Sequence, residues 1–181
     1  MNTYEEEIFN YLTKKENFTS AYEIYQHFPK VRDFLVEKFW EAVKNSLEEK
    51  VKGTDWKVDF SFNKKEPELS LKFVESIYIG FEGLNKTPDY YLYIDYKQNK
   101  KLDKVETDKH ISDIDSIKDW EKDDAGSYWK YLEDDFTNIE TLKKILPDNR
   151  DDFAQELAKN LFDFGEDLKK DISKMCKMIK K

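Results

Sequence analysis

A chain of 181 residues with 39% hydrophobic and 15% aromatic content can bury one good core, so a single domain over 1–181 is the expectation. A formal charge of −8 disfavours a grip on duplex phosphates, which takes a positive field, and five glycines and four prolines argue against a loop-dominated enzyme of the glycine-turn type. The lone Cys176 excludes an intramolecular disulfide and reads as a small apolar residue in a reducing compartment. The first residues are acidic where a secretory signal is basic, and no apolar run approaches the ~18 residues of a membrane span. The expectation is a cytoplasmic protein without a membrane partner.

The period of the apolar residues divides the chain. Over 1–53 it is helical: Ile8, Tyr11 and Leu12 form a short stripe, Pro29 reads as a breaker, and Val31, Leu35, Phe39, Ala42, Val43 and Leu47 recur at helical spacings up to a stop at Gly53. Two or three helices are predicted there. Over 54–97 the period is two. Trp56, Val58, Phe60 and Phe62 alternate with polar residues, as do Leu69, Leu71 and Phe73, then Ile77, Ile79 and Phe81, then Tyr90, Leu92, Ile94 and Tyr96. This predicts a four-strand antiparallel meander with one wet face and one face against helices.

The stretch 98–136 is acidic and aromatic. From Asp103 to Asp135 twelve acidic residues stand against five lysines, among Trp120, Tyr128, Trp129 and Tyr131. Aromatic rings are rarely left in a solubilising tail, so the segment reads as an acidic surface anchored to a core. Gln98 to Lys109 reads as a polar loop. Over 137–181, Asn138 to Leu146 reads as a helix stopped by Pro147. Phe153, Leu157, Leu161, Phe164, Leu168, Ile172, Met175 and Ile179 then make one apolar stripe, predicting a long helix that covers the sheet. The fold class expected is α+β: N-terminal helices, a four-strand antiparallel sheet and a long C-terminal amphipathic helix packed on it.

Catalytic signals are few. Pro88-Asp89 followed by Asp95-Tyr96-Lys97 matches the letters of the PD-(D/E)xK nuclease signature, in which two carboxylates hold a divalent metal beside a lysine. The residues between them read as one unbroken strand, which would set Asp89 and Asp95 about 20 Å apart, too far to share an ion. His27 and His110 lack a second ligand at metal spacing. No metal and no cofactor is expected, and Asp89, Asp95 and Lys97 serve only a minority reading as a degenerate nuclease.

A resemblance extends over Val31 to Ile179. Phe39-Trp40, Trp56-Lys57-Val58, Ile77-Tyr78-Ile79-Gly80-Phe81, Trp120, Tyr128-Trp129-Lys130-Tyr131 and the terminal amphipathic helix after Asn138 resemble the C-terminal region of bacterial PD-(D/E)xK nuclease superfamily proteins of the restriction-like group, without the upstream nuclease core. The resemblance implies a structural, target-contacting module. The functional expectation is a non-enzymatic binder of a basic, nucleic-acid-binding protein, in its most concrete form a phage or mobile-element inhibitor of a defence enzyme (anti-CRISPR or anti-restriction). Asp113, Asp115, Asp119, Glu121, Asp123 and Asp124 would compete for cations that normally hold phosphates, with Trp120 and Trp129 as apolar anchors. A general interaction module regulating a host process is the remaining alternative.

Overall fold

The computed structural model describes residues 2–62, 65–73, 77–94, 104–124 and 127–178. They form two compact units, Met1–Leu35 and Val36–Lys181.

The first unit is helical. Helix α1 (Thr3–Leu12) starts on a reciprocal cap: the Asn2 side chain accepts from the Glu5 N–H at 2.9 Å, and the Glu5 carboxylate accepts from the Asn2 N–H at 2.8 Å. Helix α2 (Lys15–Lys50) contributes its N-terminal half. Pro29 does not break it, contrary to the expectation; it lies inside the helix. An internal proline removes one backbone hydrogen bond and costs about 3 kcal/mol. Helical turns on both sides, the later ones fixed by buried Val36, Phe39, Trp40, Val43 and Leu47, carry the chain through it.

The second unit is built on a six-stranded antiparallel sheet, not four-stranded as the periodicity suggests, in the order β1-β2-β3-β4-β6-β5. The four expected strands are present: β1 (Trp56–Ser61), β2 (Glu68–Phe73), β3 (Ile77–Glu82) and β4 (Asp89–Ile94). The two additional strands, β5 (Glu121–Lys122) and β6 (Ser127–Tyr131), come from the acidic, aromatic segment. They escape a period-two search because β5 is two residues long and β6 carries aromatic rings on both faces. That segment also holds helix α3 (Lys104–Ser112), which overlaps the stretch expected to be a polar loop. Its inward side rests on only Thr107 and Ile111, too narrow a stripe to show as a helical period.

Helix α4 (Ile139–Lys144) is capped by the Asn138 side chain, and α5 (Arg150–Met178) is the long amphipathic helix read from the sequence. The core lies between one sheet face and the helices. Leu69, Leu71, Ile77, Ile79, Phe81 and Leu92 are buried on that face, against Trp40 and Phe39 of α2 and Ala154, Ala158, Leu161 and Leu168 of α5. The Trp40 ring lies 5.3 Å from Phe81 and its indole N–H donates to the Leu84 carbonyl at 2.8 Å. Phe39 stacks on Phe153 of α5 at 5.0 Å. Gly165 of α5 meets Trp56 and Ile79 so closely that a Cβ there would fall 2.6 Å from Ile79 Cδ1. The approach is sealed by a hydrogen bond from Trp56 Nε1 to Glu166. No described helix is long and apolar enough to cross a membrane.

Candidate functional site

The site is on the sheet face turned away from this core. Because side chains alternate along a strand and paired residues share a face, register alone decides what meets there. One row across the strands reads Ser61, Glu68, Glu82, Asp89, Tyr131. The next reads Asp59, Ser70, Gly80, Tyr91, Trp129, Glu121, and the third Lys57, Lys72, Tyr78, Tyr93, Ser127. Thus Glu68 stands directly opposite Glu82, and Glu82 directly opposite Asp89. The six-residue loop 83–88 that joins this second pair is opened by Gly83 at φ 66°, and the Lys86 N–H donates back to the Gly83 carbonyl at 3.0 Å.

The face is concave. Asp59, Glu68, Glu82, Asp89 and Asp123 line a cavity of about 630 Å³ together with Tyr78, Tyr91, Tyr93, Trp129, Tyr131, Ser70 and Ser127. Ser70 in its lining is buried and pairs across the strands with Gly80, which presents no side chain. A Cβ at Gly80 would run into the Leu69 carbonyl oxygen and stand 2.8 Å from Ser70 Cα. Trp129 and Tyr131 meet edge to face with centroids 5.1 Å apart, and Tyr78 and Tyr93 lie 6.0 Å apart.

Electrostatically the face is under tension. Partial desolvation raises the Glu82 carboxyl above its ordinary range, and the negative charges of Asp89, Glu68, Glu66 and Asp123 push it further. Desolvation also raises Asp89, with backbone hydrogen bonds from Glu82 and Asp89 itself opposing it. One carboxylate oxygen of Asp89, Oδ1, is buried without a hydrogen-bond partner. Burial likewise raises the Tyr91 phenol, against a hydrogen bond with Ser70. Directly opposed like charges weaken a sheet, so this arrangement does not serve stability. Carboxylates among aromatic ring faces suit a guanidinium or ammonium group, which donates hydrogen bonds to the acids and is held by cation–π attraction to the rings.

No family model, curated protein or solved structure matches this chain.

The residues singled out in the sequence are dispersed by the fold. Glu121 pairs with Trp129 and so belongs to the acidic face, while Asp123 and Trp129 line the cavity itself. Asp123 Oδ1 also accepts from the Ser127 N–H at 2.9 Å, which closes the β5–β6 turn. Trp120, one residue before Glu121, falls on the opposite side of the sheet. It stacks on Phe164 of α5 at 5.3 Å, lies under the Lys130 ammonium at 5.4 Å, and has its indole N–H buried without a partner. Asp113, Asp115, Asp119 and Asp124 are exposed outside the cavity, and Asp115 pairs with Lys118 at 3.4 Å.

Asp89 opens β4, at the end of an uninterrupted strand as expected, whereas Asp95 and Lys97 lie outside the described residues. Among the described residues no three His, Cys, Asp or Glu side chains are grouped to hold a metal ion. Glu68, Glu82, Tyr91 and Tyr131 were missed at the sequence level. Glu68, Glu82 and Tyr91 sit at the polar positions of strands read as having a wet face, Tyr131 lies on the unforeseen strand β6, and only the strand register brings them together.

Proposed function

We propose that this protein is a binding module for a basic protein segment, received on the acidic, aromatic face of its sheet. The observation that carries the reading is the cross-strand line of Glu68, Glu82 and Asp89 inside a cavity walled by tyrosines and Trp129. An arginine or lysine side chain laid across that line would relieve the repulsion between its members, and Asp89 Oδ1 would gain the partner it lacks. The volume falls within the range of about 300–1,000 Å³ of ligand sites, ample for one or two long cationic side chains. In the concrete form of this function, the acidic face stands in for a run of phosphates and occupies the nucleic-acid groove of a defence enzyme, as an anti-CRISPR or anti-restriction protein does. Exposed Asp113, Asp115, Asp119 and Asp124 would then extend the negative surface beyond the cavity.

The test is calorimetric titration of the full chain with an arginine-rich peptide and with a neutral peptide of equal length, at low and high salt. The arginine peptide is expected to bind, to weaken as salt rises, and to lose at least ~10-fold in affinity with Glu82→Gln or Asp89→Asn. Equal binding of the neutral peptide, or indifference to both substitutions, would sink the reading. The inhibitor form requires in addition that a basic enzyme held by the protein gives up its nucleic acid. An enzyme retained with its duplex still bound would remove that form and leave the general module.

A further inference from the structure

The first unit poses a separate question. Among the described residues, twelve of the sixteen exposed large hydrophobic side chains lie between Tyr4 and Phe34. Helix α1 buries none of its residues. Tyr4, Phe9 and Tyr11 are 53–70% exposed there, and Phe18, Ile24, Tyr25 and Phe34 on α2 are 57–74% exposed. Scattered single apolar residues on a surface need no explanation, whereas their concentration in one short unit marks an interaction surface.

We infer that this unit is a self-association surface through which two copies of the chain pair. Three observations select a second copy as the occupant. First, Ala21, Ile24, Phe28, Val31 and Leu35 follow one another at intervals of 3, 4, 3 and 4, the spacing with which one helix seats against another like it. A stripe present on each copy is complementary to itself across a two-fold axis.

Second, the area is sufficient. The twelve exposed large side chains of α1 and α2 together offer on the order of 1,200 Å² of mainly apolar surface, so an interface centred on the stripe that covers about two thirds of it reaches the ~800 Å² per partner of a stable one. Third, the charges suit a protein partner better than a lipid surface. Met1–Leu35 carries six acidic and four basic residues, whereas a helix lying on a membrane presents a predominantly basic polar face. Mixed signs such as Glu23, Lys30, Arg32 and Asp33 allow two copies to approach without net repulsion along the helix.

The experiment is sedimentation of the full chain over a wide concentration range, beside a double variant Ile24→Asp, Phe28→Asp. Both side chains are exposed, so the variant should keep the wild-type thermal unfolding of the second unit. The wild type is expected to approach twice the 21.8 kDa of one chain as concentration rises, and the variant to need at least ~10-fold higher concentration for the same mass. A wild type that stays at one chain throughout overturns the inference. So does a dimer indifferent to the double variant, or a single chain that attaches to lipid vesicles. Should the double variant unfold, the single substitution Ile24→Lys, at the 67% exposed Ile24 of the same stripe, is the substitute, with the same two readings.

Discussion

At the scale of single residues, the acidic face depends on a missing side chain. Gly80 lets β2 and β3 approach, and the two nearest atoms a Cβ would meet are backbone, unable to swing aside. Gly80→Ala is therefore expected to destabilise by about 3 kcal/mol, seen as a lowered urea midpoint. Glu82 behaves in the opposite way. Its folded-state pKa is raised, so the fold holds this proton to higher pH than the unfolded chain does. Stability is then lost as pH rises from the ordinary glutamate range through the raised value. Glu82→Gln, fixed in the uncharged form, should be more stable than wild type at neutral pH by roughly 0.5 kcal/mol, the size of a relieved cross-strand repulsion. The gap should close in acid. Urea unfolding at both pH values checks it, and equal stability at neutral pH would mean that the carboxylates do not repel.

At the scale of elements, what the sequence made legible and what it concealed have the same origin, the periodicity of side chains. The long stripe from Phe153 to Leu168 and the alternation in β1 to β4 each bury one face against one core, so they show plainly and α5 and the four strands follow. Strand β6 reads Ser-Tyr-Trp-Lys-Tyr: Tyr128 turns to the core and Trp129 to the cavity, and with rings on both faces no alternation remains to be seen. Trp120 and Trp129 accordingly look like one pair of anchors in the sequence but serve opposite sides of the sheet. Their alanine variants should separate. Trp120→Ala removes the ring stacked on Phe164 and is expected to cost about 3 kcal/mol of stability, with little change in affinity for the arginine peptide. Trp129→Ala should do the reverse, keeping the unfolding midpoint within about 1 kcal/mol while weakening the peptide several-fold. A common loss of both properties in either variant would contradict the division of the two faces.

At the scale of the whole molecule, binding and protonation are linked. A cationic guest favours ionised Glu82 and Asp89, both of which the fold biases toward the protonated form, so seating it should release protons in mildly acidic solution. Affinity should fall as pH drops through the raised carboxyl values, and the heat of binding should vary with the ionisation enthalpy of the buffer. A pH-independent affinity across that range would place the guest away from these two carboxylates. The sequence could not have announced this coupling. Glu68, Glu82 and Asp89 are ordinary polar positions on three separate strands, and their opposition exists only once the hairpins have fixed the register.

The distribution of indoles over the two faces also gives the molecule an optical property. Of its four tryptophans, Trp40 and Trp56 are buried and Trp120 is stacked against α5, all on the helix-covered side, while half-buried Trp129 lines the acidic cavity. A guest on that face touches one emitter in four and leaves three as an internal constant, so the protein carries its own fluorescent gauge of occupancy with no label attached.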